Sequence, residues 1–391
     1  MSTKGKAGKL SQVAIAGIGN TEFSRDSGRS ENQLAAECIK SALDDAGLVP
    51  ADVDGMVTFT IDNNEDVSLI RNLGVEALSY SSRVPHGGGG SGGALVHAAG
   101  AIVAGLAEVV VVWRAMNERS EYRFGAANAS PPAPGGGATG MEWSVPWGAA
   151  TPACWQSMVS QRYMVEFGIQ SEDLALISVL MRKHAANNPN AFGYEKPITV
   201  EDHQASRWII EPILRLLDCC QESDGGQAFV LTSIERARDL KQSPVRICAG
   251  AQHVPAPIDA ITNFYQGDFT EMVSTIGMAA ALYEQSGIGA QDIQVAQLYD
   301  HFSPIVLQHL EGWGFCGKGE GMDFIRDGHC ELDGSLPVNT HGGLIGEAYI
   351  HGLNSAAEAV RQVRGTAINQ IEGVEFSAFS SGMTGLIFGR D

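Results

Sequence analysis

Two stretches of the chain 240 positions apart carry the same pattern, and this repeat constrains the fold more than any other feature. The segment "AGLVPADVDGMVTF" from Ala46 aligns without a gap with "SGIGAQDIQVAQLY" from Ser286, pairing Gly47 with Gly287 and Asp52 with Asp292. Each copy reads as the end of a helix, a glycine cap, an acidic turn and a buried strand. Further on, each half has a glycine-rich loop opening a second helix, "HGGGGSGGALVHAAG" and "HGGLIGEAYIHGLNSAAEAV", and each half ends in a buried strand. One such half alone leaves an apolar sheet face uncovered, whereas two halves packed together cover it. The pattern predicts a pseudo-twofold α/β protein with layered sheets and central helices. The halves are expected at residues 1–255 and 256–391, the first carrying a loop or cap insertion at about 115–245.

Composition narrows the class. A net charge of −19 argues against nucleic acid or an anionic membrane surface as partner. It leaves an anionic small ligand open, because local backbone dipoles act where net charge does not. The cysteines Cys38, Cys154, Cys219, Cys220, Cys248, Cys316 and Cys330 are odd in number and lack CxxC spacing. Reduced thiols in a cytoplasmic protein fit this pattern, and no metal site is expected. The opening "MSTKGKAGKLSQ" has no apolar signal core. From Val84 to Ala107 no Asp, Glu, Lys or Arg occurs, long enough for a membrane span, yet the glycines and histidines there favour a buried core helix.

Locally, "QVAIAGIG" reads as a buried strand, and its Gly17-x-Gly19 lacks the third glycine of a dinucleotide loop. "ENQLAAECIKSALDDAGL" has helical periodicity ending at Gly47, "DGMVTFT" is a strand, and "AEVVVVWR" is a strand buried on both faces. Residues 115–150, rich in Gly, Ala, Pro and Ser, read as a long loop or lid. Helical patterns follow at 152–167 and 171–186, and a strand near 245–251. The glycine run "PHGGGGSGGALVHAAG" places backbone N–H groups at a helix start, a good oxyanion site, but supplies no strong nucleophile.

The repeat and its two helix-opening loops resemble the thiolase superfamily over almost the whole chain. The branch is similar to the sterol-carrier-protein (lipid-transfer-protein) thiolases. Its marks here are "GIGNTEF", "KHAANNPNAF" at 183–192, "LLDCCQESDGGQAFVLTS" at 216–233, "YDHF" at 299–302 and "NTHGGLIGEAY" at 339–349. The resemblance implies a thiolase fold in an α-β-α-β-α arrangement. It also shows what this chain has changed. The family's nucleophilic cysteine falls on Gly88, and its second cysteine on Phe379 or Ser380 in "AFSSGM". The Asn or His of the family's NEAF or HDxF motif is replaced by Tyr299, and the His of its GHP motif by Tyr349.

Without a thiolate no acyl-enzyme forms, so Claisen chemistry by that route is excluded. A site that binds a CoA thioester and stabilises an enolate still suits a retro-aldol cleavage. Two facing tyrosines can accept, donate and hold protons, so Tyr299 is expected as base and Tyr349 as acid or oxyanion donor, with the roles reversible. A phenol titrates near 10, so Tyr299 as a base needs a cation or hydrogen-bond donors nearby. His301, His341 and His351 are candidates, with Asp300 as an orienting group. Gly88, Gly90, Ser91, Ser381 and Gly382 are expected to line the pocket, the glycine at position 88 freeing space for a bulky substrate.

This combination resembles the steroid side-chain-cleaving aldolases of bacterial sterol catabolism. The resemblance implies cleavage of a 17-hydroxy steroid with a three-carbon acyl-CoA side chain to a 17-ketosteroid and propionyl-CoA. CoA would enter as part of the substrate, with no separate cofactor. A homodimer joined by a small OB-fold and zinc-ribbon partner is implied as well. Two other readings stay open: a non-catalytic thiolase-fold subunit that binds lipid or a partner, and an acyltransferase using Ser91.

Overall fold

Nine consecutive buried residues, Val109–Asn117, form a strand that needs a covering layer on each face. The rest of the architecture supplies them. The computed structural model describes residues 8–121, 123–126, 144–256 and 267–391. Its strands are β1 (Val13–Asn20), β2 (Gly55–Phe59), β3 (Tyr80–Val84), β4 (Val109–Asn117), β5 (Trp208–Ile210), β6 (Leu214–Arg215), β7 (Asp224–Ser233), β8 (Val245–Gln252), β9 (Val295–Leu298), β10 (Phe376–Ser380) and β11 (Thr384–Arg390). Nine of them run β3-β2-β4-β7-β1-β8-β11-β10-β9, and β5 and β6 form a separate small hairpin. The two halves meet where β1 pairs with β8 through only Ala14–Arg246 and Ile15–Val245.

The apolar cores show the layering. One cluster joins inward residues of both half-sheets, such as Val57, Phe229, Val295 and Phe388, to two helices, α2 (Ser91–Val103) and α4 (Leu353–Arg364). A second lies under α1 (Glu31–Ala46) on the outer face of the first half-sheet. A third lies under α3 (Val273–Ser286) on the outer face of the second. Helix, sheet, central helices, sheet and helix follow in order, the five-layer arrangement expected.

The repeat holds to the residue. α1 ends at Gly47 with φ 76°, and α3 ends at Gly287 with φ 72°. In the acidic turns Asp52 Oδ2 accepts from the Val49 N–H at 2.9 Å, and Asp292 Oδ2 accepts from the Gly289 N–H at 2.8 Å. The Gly17-x-Gly19 pair serves helix packing, since a Cβ at these positions would stand 2.1 and 2.2 Å from the Ala42 backbone of α1.

The domain limits differ from those expected. β7, inside the expected 115–245 insertion, is a central strand between β4 and β1. β8 pairs with β11, so the second half begins near Val245 rather than at 256. Both shifts have one cause: a strand's allegiance is set by its hydrogen-bonded neighbours, which hydropathy does not reveal. Of the expected lid, residues 127–143 and residue 122 lie outside the described residues. Among the described residues no helix is long and apolar enough to cross a membrane.

Candidate active site

Each half contributes a glycine-opened central helix, and the candidate site lies where both begin. Tyr299 follows β9, and its backbone N–H donates to the Ser380 carbonyl at 2.9 Å, fixing it at the end of β10. Tyr349 enters on the loop leading to α4, its N–H donating to Ser223 Oγ at 3.1 Å. The two phenol oxygens are 2.8 Å apart, with ring centroids 6.3 Å apart. Tyr299 is buried and Tyr349 half-buried, so Tyr349 is the more open member of the pair.

Gly88 departs from expectation. A Cβ there would stand 1.8 Å from the Tyr299 hydroxyl oxygen and 2.6 Å from Cζ. The space expected for a bulky substrate is therefore taken by the phenol itself. A Cβ on Gly352, ahead of α4, would likewise meet Tyr299, at 2.9 Å from Cδ2. Gly90 serves the turn, since its Cβ would strike the Pro85 carbonyl at 2.1 Å. Ser381 Oγ binds Thr384 Oγ1 at 2.6 Å and the Gly89 carbonyl at 3.3 Å. It thereby ties the β10–β11 turn, with Gly382 at φ 95°, to the glycine loop.

Of the cation or hydrogen-bond donors expected to help Tyr299, the structure supplies the Tyr349 hydroxyl, and burial outweighs it. Burial pushes both phenols well above their ordinary value. The Tyr349 hydrogen bond works against this at Tyr299, while neighbouring Cys220, Glu118 and Asp300 add to it. At Tyr349 the neighbours Tyr299, Cys220 and Glu118 also raise it. His301, whose ring lies 4.8 Å from that of Tyr299, is pushed down to about 3 by burial and is neutral at physiological pH. Neither tyrosine is a resting phenolate.

The other candidates divide. His351 lies edge-on to Tyr349 at 5.2 Å and accepts a hydrogen bond at Nδ1 from Arg114 Nε at 3.0 Å. His341 instead pairs with Ser355 Oγ at 3.2 Å and faces Glu347 at 3.8 Å, so its ring serves the core beneath the loop and not the tyrosines. Asp300 Oδ1 accepts from the Leu344 N–H at 2.8 Å and clamps the loop that carries Tyr349. Ser91 Oγ is buried with no hydrogen-bond partner, so no base activates it. Ser91→Ala should leave steady-state turnover close to wild type; a collapse of kcat would revive Ser91 as nucleophile.

Asp300 also gives a stability prediction. Burial pushes its carboxyl up to about 7 from an ordinary 3.8. The folded state thus favours the neutral acid, and this contribution is full below pH 3.8 and lost as the pH rises through about 7. Relative to Asp300→Asn, the wild type should lose stability across that window, as urea denaturation at its two ends would show. An unchanged difference would place the titration elsewhere.

Three groups at the site escaped the sequence reading. Arg114 lies in β4, paired with buried Asp62 at 2.6 Å. Glu118, just beyond β4, is buried with Oε2 unpartnered, and burial raises its carboxyl well above the ordinary value. Cys220 lies near the tyrosines, but burial holds its thiol protonated, so it is no substitute nucleophile. A lone arginine in "VVVVWRAMN" was the available signal, because a buried cation needs partners. Among the described residues no group of His, Cys, Asp and Glu could hold a metal ion.

Fold and site define a thiolase-fold protein with a hydrogen-bonded tyrosine pair packed against the glycine loop that opens its first central helix. Residues 261–389 match the family model described as Thiolase C-terminal domain-like. A steroid side-chain-cleaving aldolase of Thermomonospora curvata is 51% identical over 384 residues, covering 97% of this chain and 98% of the relative. A 17-hydroxy-3-oxo-4-pregnene-20-carboxyl-CoA lyase of Mycobacterium tuberculosis is 50% identical, covering 97% and 99%. A solved Ltp2–ChsH2(DUF35) aldolase superposes with a TM-score of 0.92 at 50% identity, covering 97% and 98%. Human mitochondrial 3-ketoacyl-CoA thiolase, 14% identical with a TM-score of 0.66 over 97% and 99%, shares the fold. The chain belongs to the steroid side-chain-cleaving aldolases of the thiolase superfamily.

Proposed function

We propose that this protein is a carbon–carbon lyase. It cleaves a 17-hydroxy steroid bearing a three-carbon acyl-CoA side chain to a 17-ketosteroid and propionyl-CoA. The near-full-length likeness to two enzymes so named supports the reaction class. The observation that carries the mechanism is the 2.8 Å bond between Tyr299 and Tyr349.

Two neutral phenols in contact do not need to ionise to catalyse a retro-aldol. The substrate hydroxyl gives its proton to Tyr299 as Tyr299 passes its own to Tyr349, and Tyr349 delivers one to the side-chain α-carbon. The electrons of the breaking C17–Cα bond move into the thioester enolate, and the C17–O bond becomes a carbonyl. One proton leaves the hydroxyl and one arrives at carbon, so the pair ends as it began. Burial that disfavours a free phenolate favours this concerted transfer over stepwise ionisation. Gly88, just ahead of α2, lies against the Tyr299 hydroxyl, so the positive end of that helix would stabilise an oxyanion developing beside the pair.

CoA enters with the substrate, and the proton transfers use Tyr299 and Tyr349. A relative solved as a complex with ChsH2(DUF35) supports a small partner here too, which we propose to be an OB-fold and zinc-ribbon protein on a thiolase-like homodimer acting in the cytoplasm. The test is to incubate the purified protein, with and without that partner, with the 17-hydroxy steroid acyl-CoA. Release of the 17-ketosteroid with propionyl-CoA is expected. Binding without cleavage would instead favour a scaffold, and acyl exchange between thiols a transferase.

A further inference from the structure

The reaction scheme leaves one buried feature without a purpose. Arg114 is 2% exposed in a strand otherwise built of apolar residues and a terminal Asn, and Asp62 is wholly buried. Such a pair stabilises a core less than apolar residues of the same size would. Its bonds are specific. Arg114 Nη1 donates to Asp62 Oδ2 at 2.6 Å and to the Ala115 carbonyl at 2.7 Å, and Nε donates to His351 Nδ1 at 3.0 Å. The other Asp62 oxygen accepts from the Asn64 N–H at 2.9 Å and from Asn64 Nδ2 at 3.0 Å. The guanidinium is therefore held at a fixed angle by groups that are themselves held.

A guanidinium only donates, so the nitrogen facing it must present a lone pair. This settles the tautomer of His351: Nδ1 is bare and the ring proton sits on Nε2. The opposite tautomer would press one buried N–H against another. His351 occupies left-handed backbone at φ 50°, unusual for a non-glycine residue, and its ring is boxed by Phe59, Phe124 and Tyr349 at 5.9, 5.5 and 5.2 Å. The contact with Tyr349 is perpendicular, at 87°. A flipped or charged ring would break that fit.

We propose that Arg114, held by Asp62, is a positioning residue for the tyrosine pair. It locks His351 as the neutral Nε2–H tautomer, in the ring orientation that keeps Tyr349 against Tyr299. The proposal rests on the tyrosine relay for its effect on turnover, but its tautomer claim is independent of any activity.

The experiment pairs nitrogen NMR of 15N-histidine-labelled protein with steady-state kinetics. In the wild type, His351, assigned by its loss in His351→Asn, should show a single neutral Nε2–H tautomer. Arg114→Met should give a mixture of tautomers and lower kcat about 100-fold while changing KM little, because a misplaced catalytic group costs rate more than binding. His351→Asn guards against misfolding, since asparagine accepts left-handed backbone and offers Arg114 an acceptor but has no ring to set Tyr349. It should show the same kcat loss with wild-type resistance to urea. A protonated or mixed His351 in the wild type would overturn the tautomer claim, and wild-type kcat in His351→Asn would overturn the positioning claim. Absence of cleavage in every form, with the tautomer as described, would count against the aldolase reading and leave the Arg114 lock standing.

Discussion

Gly88→Ala should lower kcat by about 100-fold or more, although it adds a single methyl group. The added carbon would lie 1.8 Å from the Tyr299 hydroxyl oxygen, far inside van der Waals contact. The ring has little room to shift, because Gly352 also packs closely on it, where a Cβ would stand 2.9 Å from its Cδ2. Tyr299 must tilt, and the bond to Tyr349 is lost. Steady-state kinetics on the steroid acyl-CoA measures the effect, with urea denaturation showing that the fold survives. Gly88→Cys is the sharper version. It restores a thiol where the resemblance places the family's nucleophile, yet it should lose cleavage without gaining thiolysis, since the resemblance also puts Tyr299 and Tyr349 in place of the residues that would transfer protons for that thiol. Near wild-type cleavage in Gly88→Ala would show that the phenol does not need its present place.

Tyr299→Phe and Tyr349→Phe should each cost about 10³-fold in kcat, within the range for a positioned acid–base group. Phenylalanine preserves the packing of a buried ring and removes only the oxygen, so the loss falls on the chemistry. Because Tyr349 is the more open of the two, its variant should also shift KM, while Tyr299→Phe should not. The pH dependence follows from the direction of the shifts. Both phenols titrate well above their ordinary value, so no activity-limiting phenolate appears on the acid side. His301 and His341, each pushed down to about 3 by burial, stay neutral across the physiological range and set no limit there.

Much of this was legible in the sequence, for identifiable reasons. The repeat announced itself because glycine caps and acidic turns are local signals that recur at a fixed offset, and the structure reproduces both turns bond for bond. Tyr299 and Tyr349 were singled out because the resemblance puts each at a chemistry-bearing position, and the structure brings their hydroxyls to 2.8 Å. What stayed hidden depends on contacts between distant residues. Nothing local in "WRAM" says that Arg114 reaches His351, 237 positions away. Nothing in a run of glycines says that the space beside Gly88 is filled by a side chain from the other half. Asp300 was read as orienting a neighbour or satisfying a backbone amide, and it accepts from the loop backbone at Leu344 and Ile345. The electrostatics were the least legible, because a buried neutral histidine and a solvent-exposed one are the same letter.

The central claim is that the two tyrosines act as one proton relay, and the double variant Tyr299→Phe/Tyr349→Phe tests it most directly. In a relay, removing either oxygen breaks the whole path, so the double variant should lose no more than about the 10³-fold of each single one. If the losses instead multiply to about 10⁶-fold, the tyrosines act independently, and the relay is contradicted.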